Sequence, residues 1–174
     1  SLGARAMKEA GMGSSFAEAA ADRTGCAVIF AGSASDRPHV EKIERSLDEF
    51  GVPHEVRICS AHKEPERLMG ILREYEGLGP PIAYIAVAGG TDALSGTLSF
   101  HALAPVISCP PDPPNPSCLS NPPGSSNAVI YDPRNAGRFV AQLFAAHNPQ
   151  IAERLRRSRD EKIRALEASD REGR

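Results

Sequence analysis

The sequence predicts a three-layer α/β/α sandwich, flavodoxin-like in strand order, with helices on both faces of a central parallel sheet. Three observations predict it. Short apolar runs alternate with helical patterns along most of the chain. The runs are continuous rather than alternating in polarity, as strands covered on both faces are. Each of the first three breaks into a Gly- or Ser-containing turn before the next helix begins. Strand and helix alternating at this interval imply right-handed crossovers, and hence parallel neighbours.

The first run is Cys26 to Ala31, broken by Gly32-Ser33-Ala34-Ser35-Asp36. Pro38 suits a first helical position. Val40, Ile43, Leu47 and Phe50 then fall on one helical face, and Gly51 is placed to stop the helix. His54 to Ile58 is the second strand. After the turn Cys59-Ser60-Ala61-His62-Lys63-Glu64, a helix starting at Pro65 carries Leu68, Met69, Leu72 and Tyr75, and Gly77 and Gly79 end it. Ile82 to Val87 is the third strand, leading into Ala88-Gly89-Gly90-Thr91-Asp92 and a small-residue helix to about His101. Pro105 to Ser108 reads as a fourth strand and Ala128 to Tyr131 as a fifth, followed by a helix bearing Phe139, Val140, Leu143 and Phe144.

Three segments lie outside this alternation. Residues 1–24 are rich in Ala, Gly and Ser, with a weak helical pattern from Ser15 to Asp22, and read as an N-terminal tail. Cys109 to Asn127 holds prolines at 110, 111, 113, 114, 116, 122 and 123. That density opposes a helix, and so long a loop in a compact domain is usually functional or mobile. Residues 149–174 are highly charged, with Ile151, Leu155, Ile163 and Leu166 loosely on one face. They read as an exposed helix or tail that docks on a neighbouring subunit. The expected organisation is thus one α/β domain over 25–148, flanked by two tails. The chain opens on Ser rather than Met, which suits a piece of a longer protein as well as an added start.

Composition narrows the function classes. At 174 residues one well-buried core is expected. A formal charge of −2, with no dense Lys/Arg patch before residue 154, argues against a nucleic-acid partner and leaves a small polar or anionic ligand. The four cysteines show neither C-x-x-C spacing nor a small-domain framework. They read as reduced thiols in a cytoplasmic protein, not as a zinc site. No apolar run approaches the ~20 residues of a membrane span. A dinucleotide fingerprint, a P-loop and a nucleophile elbow are all missing from the sequence.

In a parallel sheet the first three turns converge on one edge, where open α/β proteins bind ligands. Gly32 permits a tight turn; hydroxyls and free amides at the following helix start can hold phosphate oxygens, and Asp36 can accept from sugar hydroxyls. Ser35 and Asp36 equally fit a plain helix cap. His62 is suited to carry a proton near neutral pH, although an isolated histidine is more often a surface or core residue. Lys63 can neutralise an anion or simply be solvated, and Gly89-Gly90 offers close backbone approach to a planar ligand or simply a turn. Cys59 reads as a small buried thiol rather than a nucleophile. His39, His54, His101 and His147 read as packing or surface residues.

Taken in order, Gly32-Ser33-Ala34-Ser35-Asp36, Phe50-Gly51-Val52-Pro53, Ser60-Ala61-His62-Lys63-Glu64-Pro65, Ala86-Val87-Ala88-Gly89-Gly90 and Pro105 to Pro111 resemble the aminoimidazole ribonucleotide (AIR) carboxylase family. That family includes the carboxyaminoimidazole ribonucleotide mutases of purine biosynthesis. The likeness extends through Asn135 to Phe144. Lys63 and the stretch Ile107-Ser108-Cys109-Pro110-Pro111 are similar to the animal-type branch that carboxylates AIR directly.

The resemblance implies that Ser33, Ser35, Asp36, Ser60 and Lys63 bind phosphate and ribose, with Gly32 and Ala61 in the same shell. Gly89 and Gly90 would lie beside the base, and His62 would carry the proton. It implies chemistry without metal or other cofactor, and a homo-oligomer, octameric in the family, whose neighbouring subunits complete each pocket. This chain departs from the family in having Ala93 where the bacterial mutases place a second histidine and Gly90 where the animal-type enzymes have arginine. Asn121-Pro122-Pro123-Gly124 also replaces the usual polar-apolar-Pro-x-Gly stretch. Three alternatives stand beside the carboxylase: a mutase, a divergent paralogue acting on another phosphosugar substrate, and a non-catalytic nucleotide-binding subunit.

Overall fold

In a computed structural model of the chain, residues 2–111, 113 and 115–173 are described; Pro114 of the proline-rich segment and Arg174 of the charged C-terminal segment lie outside them. Five strands, β1 (Cys26–Ala31), β2 (His54–Ile58), β3 (Ile82–Val87), β4 (Val106–Ser108) and β5 (Ala128–Val129), form one parallel sheet in the order β2-β1-β3-β4-β5. This is the flavodoxin-like order that the sequence predicts. The last two strands are shorter than expected: β4 begins at Val106 and β5 ends at Val129, although Pro105 O still accepts from Tyr84 N–H and Ile130 N–H still donates to Ser108 O, each at 3.0 Å.

Both faces of the sheet are buried, which explains why its central strands read as unbroken apolar runs. Cys26, Val28 and Phe30 of β1 point into one core with Leu68, Leu72 and Tyr75 of α4 (Pro65–Glu76) and Leu98 of α5 (Ala93–His101). The alternate residues Ala27, Ile29 and Ala31 point into the other. There they meet Val40, Ile43 and Leu47 of α3 (Arg37–Phe50), Val140 and Phe144 of α6 (Pro133–Phe144), and Ile151 of α7 (Pro149–Glu172). The period-2 alternation of the strand has apolar partners on each side.

Helix ends follow local chemistry. Gly51, at φ 71°, ends α3 in a left-handed turn in which Val52 N–H donates to Leu47 O at 2.9 Å. Asn148 caps α7, its Oδ1 accepting from the amides of Gln150 and Ile151. Beyond that cap α7 is largely exposed, with Ile163 and Leu166 uncovered in this chain.

Residues 1–24, expected to be a tail, instead carry two helices, α1 (Leu2–Glu9) and α2 (Ser14–Asp22). Phe16 is buried in T-shaped contact with the Tyr75 ring, 5.8 Å between centroids, while Ala17 and Ala20 pack in the same core. Glu55 of β2 binds this segment to the sheet: one carboxylate oxygen accepts from Gly13 N–H at 2.7 Å and the other from the Tyr75 hydroxyl at 2.7 Å. Small alanines allow this close packing but give almost no periodic signal. The Cys109–Asn127 segment also differs from a structureless loop, since a 3-10 helix spans Pro116–Leu119 with Asn115 as its cap and Cys118 buried. Proline is tolerated there because it occupies the first helical position.

Candidate active site

Three ladder continuations draw the turns to one edge. Cys59 N–H donates to Ala31 O, Gly32 N–H to Val87 O and Cys109 N–H to Ala86 O, each at 2.9 Å. The chain therefore leaves β1, β2, β3 and β4 at nearly one level. Between the first three turns lies a cleft of about 230 Å³.

The first turn contributes Gly32, Ser33, Ser35 and Asp36. Ser33 caps a short 3-10 turn, its Oγ accepting from Ser35 N–H at 3.2 Å, and the two hydroxyls lie 2.8 Å apart. Asp36 makes no side-chain cap bond to α3, so of the two residues that fit a cap neither is the one that serves. Partial burial pushes the Asp36 carboxyl above its ordinary range, with His39 acting more weakly in the opposite direction. A carboxylate held partly out of water and left unused by the helix suits a ligand hydroxyl.

The second turn contributes Ser60, Ala61 and His62. Ser60 shapes it: its Oγ accepts from Lys63 N–H at 3.3 Å and its carbonyl from Glu64 N–H at 2.8 Å. Arg67 braces the turn from α4 by donating to Ile58 O and to the Glu64 carboxylate. His62 therefore stands exposed in a turn three residues before the helix begins at Pro65. Lys63 is exposed and does not line the cleft. Cys59 is fully buried, and burial raises its thiol pKa, so it sits beneath the turn as packing.

The third turn contributes Ala88, Gly89 and Thr91, followed by Ala93 and Leu94 at the start of α5. Gly90, at φ 66°, shapes this turn without lining the cleft. Gly32, by contrast, needs no left-handed conformation, so its part in the wall is to be small. Thr91, Ala88 and Leu94 were not singled out from the sequence. A hydroxyl following Gly-Gly was the available signal for Thr91, whereas the two apolar positions carried none.

Asp92 is buried as the cap of α5, accepting from Ser95 N–H at 2.9 Å and from the Ser95 hydroxyl at 2.7 Å. His39 is also structural, its Nε2 lying 2.9 Å from Cys109 O. A larger groove of about 720 Å³ runs past Lys42, Arg45 and Arg134 on the flank of α3 and α6. No strand-end turn among the first three reaches it, and Arg134 is paired with Asp132. Among the described residues, no three His, Cys, Asp or Glu side chains gather as a metal-binding group.

The AIR carboxylase family model matches residues 26–165, from the first residue of β1 into α7. The chain belongs to the AIR carboxylase family. The mouse bifunctional phosphoribosylaminoimidazole carboxylase/phosphoribosylaminoimidazole succinocarboxamide synthetase is 39% identical over 137 residues, which are 75% of this chain and 32% of that protein. The chain thus spans about a third of the length of such animal relatives. Phosphoribosylaminoimidazole carboxylase of Treponema denticola is 37% identical over 135 residues, covering 74% of this chain and 85% of that protein. The crystal structure of Treponema denticola PurE superposes with a TM-score of 0.81 at 33% identity, over 85% of this chain and 98% of that one. Within the family domain, the Ser33–Asp36, Ser60–His62 and Gly89–Leu94 walls form a polar, partly enclosed cleft with one imidazole at its mouth.

Proposed function

We propose that the protein carboxylates AIR to 4-carboxy-5-aminoimidazole ribonucleotide in purine biosynthesis. One observation carries this reading: in a chain of the AIR carboxylase family, the hydroxyls of Ser33, Ser35 and Ser60, the Asp36 carboxylate and the His62 imidazole meet in one cleft. The hydroxyls suit phosphate and ribose oxygens, Asp36 suits a sugar hydroxyl, and the Gly89 backbone leaves room for a flat base. Lys63 and Gly90 act from outside the lining, Lys63 as a charge near the phosphate and Gly90 as the shape of the base-side loop.

AIR is an enamine, so its ring carbon is already nucleophilic. The new bond joins that carbon to the carbon of carbon dioxide, and one carbonyl electron pair moves to oxygen. The carbon–hydrogen bond at the same ring position then breaks, its electrons restore the ring, and the proton passes to His62. The protein's tasks are to hold the two reactants together and to limit water around them.

Purified protein mixed with AIR and bicarbonate is expected to develop the product's absorbance. Parallel reactions starting from the carboxylated product and from its carbamate isomer separate carboxylase from mutase. AIR that binds without turnover sinks the carboxylase reading, and product formed only from the carbamate assigns the mutase. We also propose a homo-oligomer in the cytoplasm. Exposed Phe100, Leu103 and Leu119 support the first, and four cysteines without a disulfide support the second.

A further inference from the structure

No described residue of the proline-rich segment lines the cleft, yet the segment is fastened to one of its walls. Asp92 N–H, at the junction of the Gly89–Thr91 wall and α5, donates to Ser117 Oγ at 2.8 Å. Amides at a helix start lack intrahelical partners, so a hydroxyl placed here governs where the wall ends. Ser117 is itself held, its N–H donating to Asn115 Oδ1 at 2.7 Å within the 3-10 helix.

That helix is anchored in turn. Asn127 Nδ2 donates to Cys118 O at 3.0 Å and to Ser108 Oγ at 2.8 Å, tying it to the buried end of β4. Asn127 Oδ1 accepts from Asn121 Nδ2 at 2.7 Å. Asn121 approaches α5 so closely that a Cβ on Gly96 would stand 2.8 Å from its Oδ1. The segment is therefore clipped to β4 on one side and to α5 on the other, and among its described residues Ser117 reaches the cleft wall through its hydrogen bond with Asp92.

We propose that Ser117 is a positioning residue. It sets the Gly89–Thr91 wall, and through it the fit of the substrate base, by holding the Asp92 amide. The coupling rests on the reading that this wall faces the base of the substrate. An unsatisfied amide also loosens the wall, since a partly buried donor without a partner is costly.

The test compares the wild type with Ser117→Ala and Ser117→Thr. Ser117→Ala is expected to raise KM for AIR about tenfold while kcat stays within about twofold, because binding is lost equally from ground and transition states. Amide exchange over 89–92 is expected to quicken about tenfold, with the melting temperature lowered by no more than a few degrees. Ser117→Thr keeps the hydroxyl and is expected to restore both readouts. Unchanged KM and exchange in Ser117→Ala overturn the proposal. So does a joint fall in kcat and melting temperature that threonine fails to rescue. A wild-type protein without AIR turnover overturns the proposed reaction rather than this coupling, which amide exchange then decides alone.

Discussion

The centre of the sheet and its carboxyl edge are built by the same strands to opposite rules. Every residue of β1 and β3 is buried, whereas Ser33, Ser35, His62, Gly89 and Thr91, in the turns that follow β1, β2 and β3, are all exposed. The centre gains from area removed from water, and the edge leaves polar groups in reach of a ligand. Stability and chemistry are thereby separated along each strand, so substitutions at the two places should read out in different measurements.

The largest effect is expected at His62. His62→Asn removes the proposed proton carrier while leaving the turn to Ser60 and Arg67, which shape it without using the imidazole. A loss of about 10²–10⁴-fold in kcat is expected, the usual contribution of a positioned acid or base. Steady-state rates and a thermal melt check it together. A melting temperature that falls in step with the rate would erase the separation of edge from centre.

Phe30 gives the reverse signature. Its ring is fully buried in T-shaped contact with Tyr84 and Tyr75, with centroids 5.6 and 6.4 Å away, so Phe30→Ala is expected to cost about 3–5 kcal/mol in denaturant unfolding. Phe16→Ala sharpens the comparison from outside the family domain. If α2 belongs to the same core, this change costs about 3 kcal/mol in the same transition rather than producing an early, separate one.

The division also explains which parts of the molecule the sequence made legible. Unbroken runs such as Cys26–Ala31 and Ile82–Val87 identify strands because both faces are apolar. Glycine and serine turns identify the edge because topology alone brings them together. Of α1 and α2 only a weak helical pattern from Ser15 to Asp22 was legible, because Ala17 and Ala20 pack through smallness, and one large side chain, Phe16, makes no period. The ordering of the proline-rich segment was missed for a different reason. Its contacts are side-chain amides and hydroxyls, Asn121 to Asn127 and Ser117 to Asp92, whose partners lie up to 25 residues apart with no pattern to announce them. Asp36 was legible as a candidate, but only geometry distinguishes it from a cap.

Asp36 is where the two rules meet, and its effect is the smallest. Burial raises its carboxyl pKa in the folded protein above the ordinary 3.8, so the native state binds the proton more tightly than the unfolded chain does. Between the ordinary value and the raised one, stability falls as pH rises. Above both, the charged carboxylate carries its full penalty, and below both the penalty is gone. Asp36→Asn should therefore raise the melting temperature slightly at neutral pH, with the gain fading as pH falls toward the ordinary carboxylate range. The same change should weaken binding of AIR, because the proposed acceptor for a ribose hydroxyl loses its charge. Melting curves at several pH values, paired with KM at neutral pH, test both halves. A stabilised variant with unaltered KM would leave Asp36 as a strained carboxylate without a ligand role, whereas stability gained together with affinity lost is the exchange expected where a fold gives up packing to keep a site.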